Sequence, residues 1–232
     1  MAPFAFEPLK TYGTRLADPI RLLRIDGSNI GDHFHLTAGD ECYFLFEYTS
    51  GHDYTFSATN SLISNLKKKP SESHRRGYHH KTRVIQECSS YFSGGINPDW
   101  LNTATLVPVP PSKAVGHPDY DDRITRICRG ISAQPTLDVR QLVFQTESLP
   151  AAHETGEGER PTVERLLQVY KIDESKAAPA PTQIGIFDDV LTAGVHYRAM
   201  HSVLAGRFPG VSIVGIFVAR RVFANPFQGV VD

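Results

Sequence analysis

The sequence predicts an α/β fold in which a parallel sheet is flanked by helices. Two observations carry this expectation. From residue 104 onward, short apolar runs that read as strands alternate with amphipathic segments of helical spacing. The links between them are short, which suits parallel strands joined by right-handed helical crossovers. In such sheets ligands bind beyond the carboxyl ends of the strands.

The elements follow in order. "RLLRI" (21–25) and "HFHLT" (33–37) are candidate short strands around the turn-like "DGSNIGD". "CYFLFEYTS" (42–50) is rich in aromatics and reads as a strand closed by Gly51 and Asp53. "SATNSLISNLKKK" changes to helical spacing, with Leu62, Ile63 and Leu66 on one face and Pro70 as a stop. "KTRVIQECSSYF" repeats that spacing through Val84, Ile85, Cys88 and Phe92. "ATLVPV" is a buried strand, and "DYDDRITRICRGI" is a helix with Ile124, Ile127, Cys128 and Ile131 on one face and acidic residues in its first turn. "VRQLVF" (139–144) is the next strand, and "TVERLLQVY" (162–170) a helix with Val163, Leu166, Leu167 and Tyr170 on one face. "QIGIF" is a third strand of this region. "GVHYRAMHSVLAGRF" is a helix ended by Pro209-Gly210, and "VSIVGIFVA" (211–219) a fourth strand. Trp100 and the aromatic run 43–48 read as core.

With 232 residues the chain can bury a substantial core. A formal net charge of -1 gives no global pull towards nucleic acid or an anionic membrane, so such a contact would need a local patch. The three cysteines, Cys42, Cys88 and Cys128, are far apart and form no C-x-x-C, which argues against a disulfide framework or a cysteine zinc ribbon and for a reducing compartment. The N-terminal "MAPFAFEPLKTYG" lacks a basic start and a long apolar stretch, and no apolar run approaches membrane-spanning length. A cytoplasmic location is expected.

The stretch "IGIFDDVLTAGVHYRAM" (184–200) carries the strongest functional signal. A buried carboxylate is costly and two neighbours repel, so Asp188 and Asp189 at a strand end call for a compensating role. The loop behind them feeds a helix N-terminus, whose free N–H groups suit a phosphate. Thr192 adds a hydroxyl, and Ala193 and Gly194 leave the backbone open. The acids suit sugar hydroxyls or a bridging Mg²⁺. "PVPPSK" (108–113) also falls at a strand C-terminus and would share the same edge.

"IGIFDDVLTAG" closely resembles the PRPP-binding signature of type I phosphoribosyltransferases: apolar residues, two acids, two spacers, Ser or Thr, a spacer and Gly. Within that superfamily the chain is most similar to the ComF-like proteins, through "LISNLKKK", "LVPVPPSK" followed by a helix, "FQT" (144–146) and "RPTVERL" in that order. The likeness spans roughly residues 57–220. It implies a phosphoribosyltransferase-type, Rossmann-like domain at 57–232 behind a small strand-containing extension at 1–56. It also implies Mg²⁺ and PRPP as ligands, and transfer of phosphoribosyl to a base or other nucleophile with release of pyrophosphate. Asp188 and Asp189 would contact the ribose 2- and 3-hydroxyls, directly or through the metal. Thr192, Ala193, Gly194, Val195 and His196 would cradle the 5-phosphate. Pro110, Pro111, Ser112 and Lys113 would form the pyrophosphate loop, with Lys113 on the pyrophosphate or a Mg²⁺-bound water. Residues 145–161 would be the loop that closes over the site. His196 stands where the family has Thr or Ser; protonated, it would serve a phosphate, with a charge that varies near neutral pH. The N-terminal 50 residues lack the cysteine zinc module common in ComF-like proteins.

Other features admit plainer readings. His33 and His35 lie near Asp32 and Asp40, but no further ligands follow at a helpful spacing, so they read as exposed residues of an alternating strand rather than a metal site. Residues 67–83 hold seven Lys and Arg against Glu72 alone, which reads as a solvated loop or as a local site for nucleic acid or a protein partner. A non-catalytic module that senses PRPP or a nucleotide, or an accessory protein acting on nucleic acid, is the competing expectation to an enzyme. The family resemblance makes a homodimer plausible. The acceptor is not legible in 145–161.

Overall fold

The computed structural model describes residues 20–132, 137–149 and 161–224. Its centre is a six-stranded sheet of order β1-β2-β8-β7-β3-β4. These strands are β1 (Leu23–Arg24), β2 (Glu41–Ser50), β3 (Thr105–Pro108), β4 (Asp138–Val139), β7 (Gln183–Leu191) and β8 (Ser212–Phe223). β1 runs antiparallel to β2, and every other pairing is parallel. The α/β architecture with a mostly parallel, helix-flanked sheet is therefore as the alternation implies.

Helices cover both faces, as a buried parallel sheet requires. On one face lie α1 (Ala58–Leu66), α2 (His79–Gly95) and α4 (Arg123–Gly130), with the short α3 (Pro98–Leu101) beside them. Their apolar stripes meet Leu106, Phe187, Ile216 and Val218 of the central strands. The expected helical faces are all buried here: Leu62, Ile63 and Leu66; Val84, Ile85, Cys88 and Phe92; Ile124, Ile127, Cys128 and Ile131. Trp100 packs against this layer and touches the sheet closely. A Cβ on Gly185 would come within 2.7 Å of its ring. On the other face α5 (Val163–Val169) and α6 (Val195–Arg207) pack on Val107, Ile184, Ile186 and Phe217. Beside them β5 (Val143–Gln145) and β6 (Tyr170–Ile172) form a separate antiparallel pair.

Several expectations change. β2, in the segment assigned to the N-terminal extension, is a full member of the sheet and pairs with β8 over most of its length. "VRQLVF" is not one strand: β4 and β5 lie in different sheets, because Arg140 donates its N–H to Leu106 while Val143 turns to pair with Ile172. "TVERLLQVY" ends its helix at Val169. Tyr170 begins β6, and Val169 takes the buried place expected of Leu167, which is exposed. "HFHLT" is a turn-rich connection rather than a strand, and of its histidines only His35 is exposed; His33 is fully buried. Finally, β7 runs through the acidic pair to Leu191, so Asp188 and Asp189 lie within a strand and not beyond its end.

Candidate functional site

β3 and β7 are adjacent and parallel, with Pro108 opposite Phe187. The segment after β3 and the one after β7 therefore leave the sheet side by side. Together with α1 and the N-terminus of α4 they enclose a cavity of about 160 Å³. Its walls include Pro110, Pro111, Ser112, Lys113, Asp188, Asp189, Thr192 and His196. These sequence-selected residues thus converge, and Ala193, Gly194 and Val195 complete the turn between Thr192 and His196. Lys67 and Lys69 of the basic segment join them, as do Asp119, Asp121 and Arg123, which the sequence reading does not assign to this site. A larger hollow, about 1200 Å³, lies between β2, α1 and α2, away from the loops that follow β3 and β7.

Successive strand residues project to opposite faces, and this separates the two acids. Asp189 turns to the α1/α4 side and is buried. Arg123 donates to its Oδ2 from Nε at 3.0 Å and from a terminal nitrogen at 2.6 Å, and Lys67 lies 3.3 Å from Oδ1. These cations hold its carboxyl far below the usual range despite burial. Asp188 lies on the side of Tyr170, whose hydroxyl feels its charge. One Asp188 oxygen accepts the Asp189 N–H at 2.8 Å. Burial and the neighbouring Asp189 charge raise its carboxyl above the usual range. The pair is therefore unlike in function: one acid is committed to cations, and the other is only lightly held.

Behind Asp189 the ion pairs continue. Arg123 also donates to Asp121 at 2.7 Å, and Asp121 accepts from Lys81 at 2.7 Å. Lys81 is 1% exposed and donates also to the carbonyls of Leu66 and Lys68, both at 2.7 Å. Residues 67–83 are thus not simply a solvated basic loop. Lys67 faces the cavity, Lys81 is a buried tie, and Arg75 and Arg83 pair with Glu72 and Glu87. The sequence did carry a sign of this. Lys81 precedes Val84, Ile85 and Cys88 at helical spacing, so it sits on the apolar stripe. The acids expected in the first turn of α4 precede it instead: the helix opens at Arg123, where a cation opposes the helix dipole, so a nearby carboxylate is the expected partner.

On the opposite wall, Gly194 caps α6 with a left-handed φ of 89°, a conformation that side chains disfavour. Thr192 is exposed at the mouth. His196 Nδ1 bonds the Tyr170 hydroxyl at 2.8 Å. Burial pushes the imidazole down to about 4, so at neutral pH the ring is uncharged. In the tautomer that lets Tyr170 donate to Nδ1, the ring proton sits on Nε2. His196 can therefore offer an anion a hydrogen bond, but not the positive charge expected from sequence.

The 110–113 segment is held from behind by the chain after β5. The Ser112 carbonyl accepts from Gln145 Nε2 and from the Leu149 N–H, both at 2.8 Å, and Ala114 N–H donates to Ser148 Oγ at 3.0 Å. Lys113 Nζ lies 3.4 Å from the Leu149 carbonyl. Of the expected closing loop 145–161, residues 150–160 lie outside the described residues.

No protein-family model matches this chain, and no curated protein matches it at a significant level. No helix among the described residues is long and apolar enough to cross a membrane.

Proposed function

We propose that the cavity binds a 5-phosphorylated ribose, as PRPP or a nucleotide, and that the protein is a Mg²⁺-dependent phosphoribosyltransferase. The observation that carries this reading is the convergence of the Asp188–His196 segment and the Pro110–Lys113 segment on one cavity at the ends of neighbouring parallel strands. A sugar hydroxyl acceptor, a helix N-terminus and a lysine-bearing loop then lie around one volume.

In this reading Asp188 accepts from the ribose hydroxyls, since among the described residues only one of its oxygens has a backbone donor. Asp189 acts indirectly, by placing Arg123 and Lys67 at the cavity wall. The N–H groups of 193–196, with Thr192 Oγ1 and His196 Nε2, bind the 5-phosphate. Lys113 neutralises the leaving pyrophosphate. Mg²⁺ fits the donor set: one lightly held carboxylate, with ligand phosphates and water supplying the other oxygens. It would neutralise charge on the departing pyrophosphate. The cavity is smaller than those that enclose a whole drug-sized ligand, which suits a grip on the sugar phosphate alone.

Release of pyrophosphate from PRPP, assayed with Mg²⁺ over a panel of purine and pyrimidine bases, tests the reaction. The expected result is Mg²⁺-dependent release that falls at least about tenfold in Lys113→Ala, as losing one charge-assisted contact implies. Binding of PRPP without release across the panel would contradict transfer and favour a sensing role.

A further inference from the structure

Behind the 192–196 turn runs a strap, residues 33–40, that contributes nothing to the cavity lining. Buried His33 donates from Nδ1 to the Thr192 carbonyl. The His35 N–H donates to the Ala193 carbonyl at 2.9 Å. Leu36 lies under Gly194, where a Cβ would meet it at 3.4 Å. α6 locks the strap in return: Arg198 Nε donates to the His35 carbonyl at 2.9 Å, and another Arg198 nitrogen pairs with Asp40.

In a trans peptide the C=O and the following N–H point to opposite sides. Turning the carbonyls of Thr192 and Ala193 to the strap therefore turns the N–H groups of Ala193 and Gly194 away from it, to the side where Thr192 and His196 line the cavity. A backbone that ends in left-handed Gly194 then forms a concave set of donors, the geometry that suits an anion.

We propose that His33 is a positioning residue for the anion-binding turn, holding the Thr192 peptide in the orientation that aims its N–H at a phosphate. The inference rests on the reading of 192–196 as the 5-phosphate cradle. A second observation supports it. The other ring nitrogen, Nε2, is buried without a partner among the described residues. That is a cost an apolar side chain would not carry, so packing alone does not explain a histidine here. Burial, with Arg220 and Arg221 nearby, keeps the ring neutral and leaves Nδ1–H as its single donor.

Asparagine can place an amide N–H near the position of Nδ1, whereas glutamine reaches towards that of Nε2. Calorimetric titration with ribose 5-phosphate and with Mg²⁺-pyrophosphate is done on the wild type, His33→Asn, His33→Gln and His33→Leu, each with a thermal melt. The expected result is a loss of about tenfold or more in ribose 5-phosphate affinity for His33→Gln and His33→Leu, and near-wild-type affinity for His33→Asn. Pyrophosphate affinity, which rests on Pro110–Lys113, is expected to stay unchanged in all. If His33→Leu does not fold, the Asn and Gln variants decide alone. Equal ribose 5-phosphate affinity in Asn and Gln, or parallel losses for both ligands, overturns the positioning role. If the wild type itself does not bind ribose 5-phosphate, the cradle reading fails first and the inference falls with it.

Discussion

The two walls of the cavity are built on opposite principles. The wall of α1 and α4, backed by α2, is closed upon itself: Lys67, Lys81 and Arg123 are answered by Asp189 and Asp121. The wall of β3, β7 and α6 keeps its groups lightly held, with Asp188 raised above its usual range, Thr192 exposed and His196 neutral. The first wall's charges are already spent on one another. The second is where a ligand would find partners. Adjacent acids on one strand belong to different walls because a strand alternates its side chains.

The largest effect should come from breaking the closed wall. Asp121→Ala leaves the buried Lys81 ammonium without its carboxylate, and removing one partner of such a pair costs about 3–5 kcal/mol. Chemical denaturation should show that loss. A change below about 1 kcal/mol would mean the wall is not closed in the way described.

Next, the two aspartates should respond with opposite signs. Asp189→Asn removes the charge that Arg123 and Lys67 meet, at a cost of about 2 kcal/mol. Asp188 takes up its proton more readily folded than unfolded, where its value is near 3.8. Its charge therefore opposes folding once the pH rises through the folded value, and Asp188→Asn should stabilise the ligand-free protein at neutral pH. Melting temperatures of the two variants, measured side by side, would blur the comparison if they moved together.

A smaller effect concerns His196. Its folded value of about 4 lies below 6.5, so as pH falls the unfolded chain binds the proton first. Stability should decline between about pH 6.5 and 4, and His196→Gln should flatten that decline. Tyr170→Phe should raise the imidazole's titration point, read by NMR, because the hydroxyl bonded to Nδ1 is gone. The smallest effect is expected at Arg75 and Arg76, which are exposed: their alanine variants should stay within about 0.5 kcal/mol of wild type.

The same contrast explains what the sequence revealed. The open wall is written in contiguous stretches, "DDVLTAGVH" and "VPPSK", whose order and spacing can be read directly. Its helices and strands obey simple periods, so the central α/β pattern was also legible. The closed wall is assembled from residues 67, 81, 121, 123 and 189, and no local window contains it. Beyond Asp189, which the acidic pair already marks, its trace is that Lys81 and Arg123 each break a local rule. His33 gave less: a buried histidine bonded to a distant carbonyl leaves no period or spacing behind. Tyr170 was read as helix core because the apolar stripe of α5 runs into β6 without a break. The strand β2 belongs to the sheet through pairing with β8, a partner far along the chain that local propensity does not identify.

The central claim is that the open wall, through Asp188, recognises a phosphoribosyl group. Calorimetric titration of PRPP with Mg²⁺ into the wild type and into Asp188→Asn tests it most directly. The account predicts saturable binding by the wild type and a loss of about tenfold or more in a variant that still folds. No binding by the wild type, or equal binding by both, would contradict it.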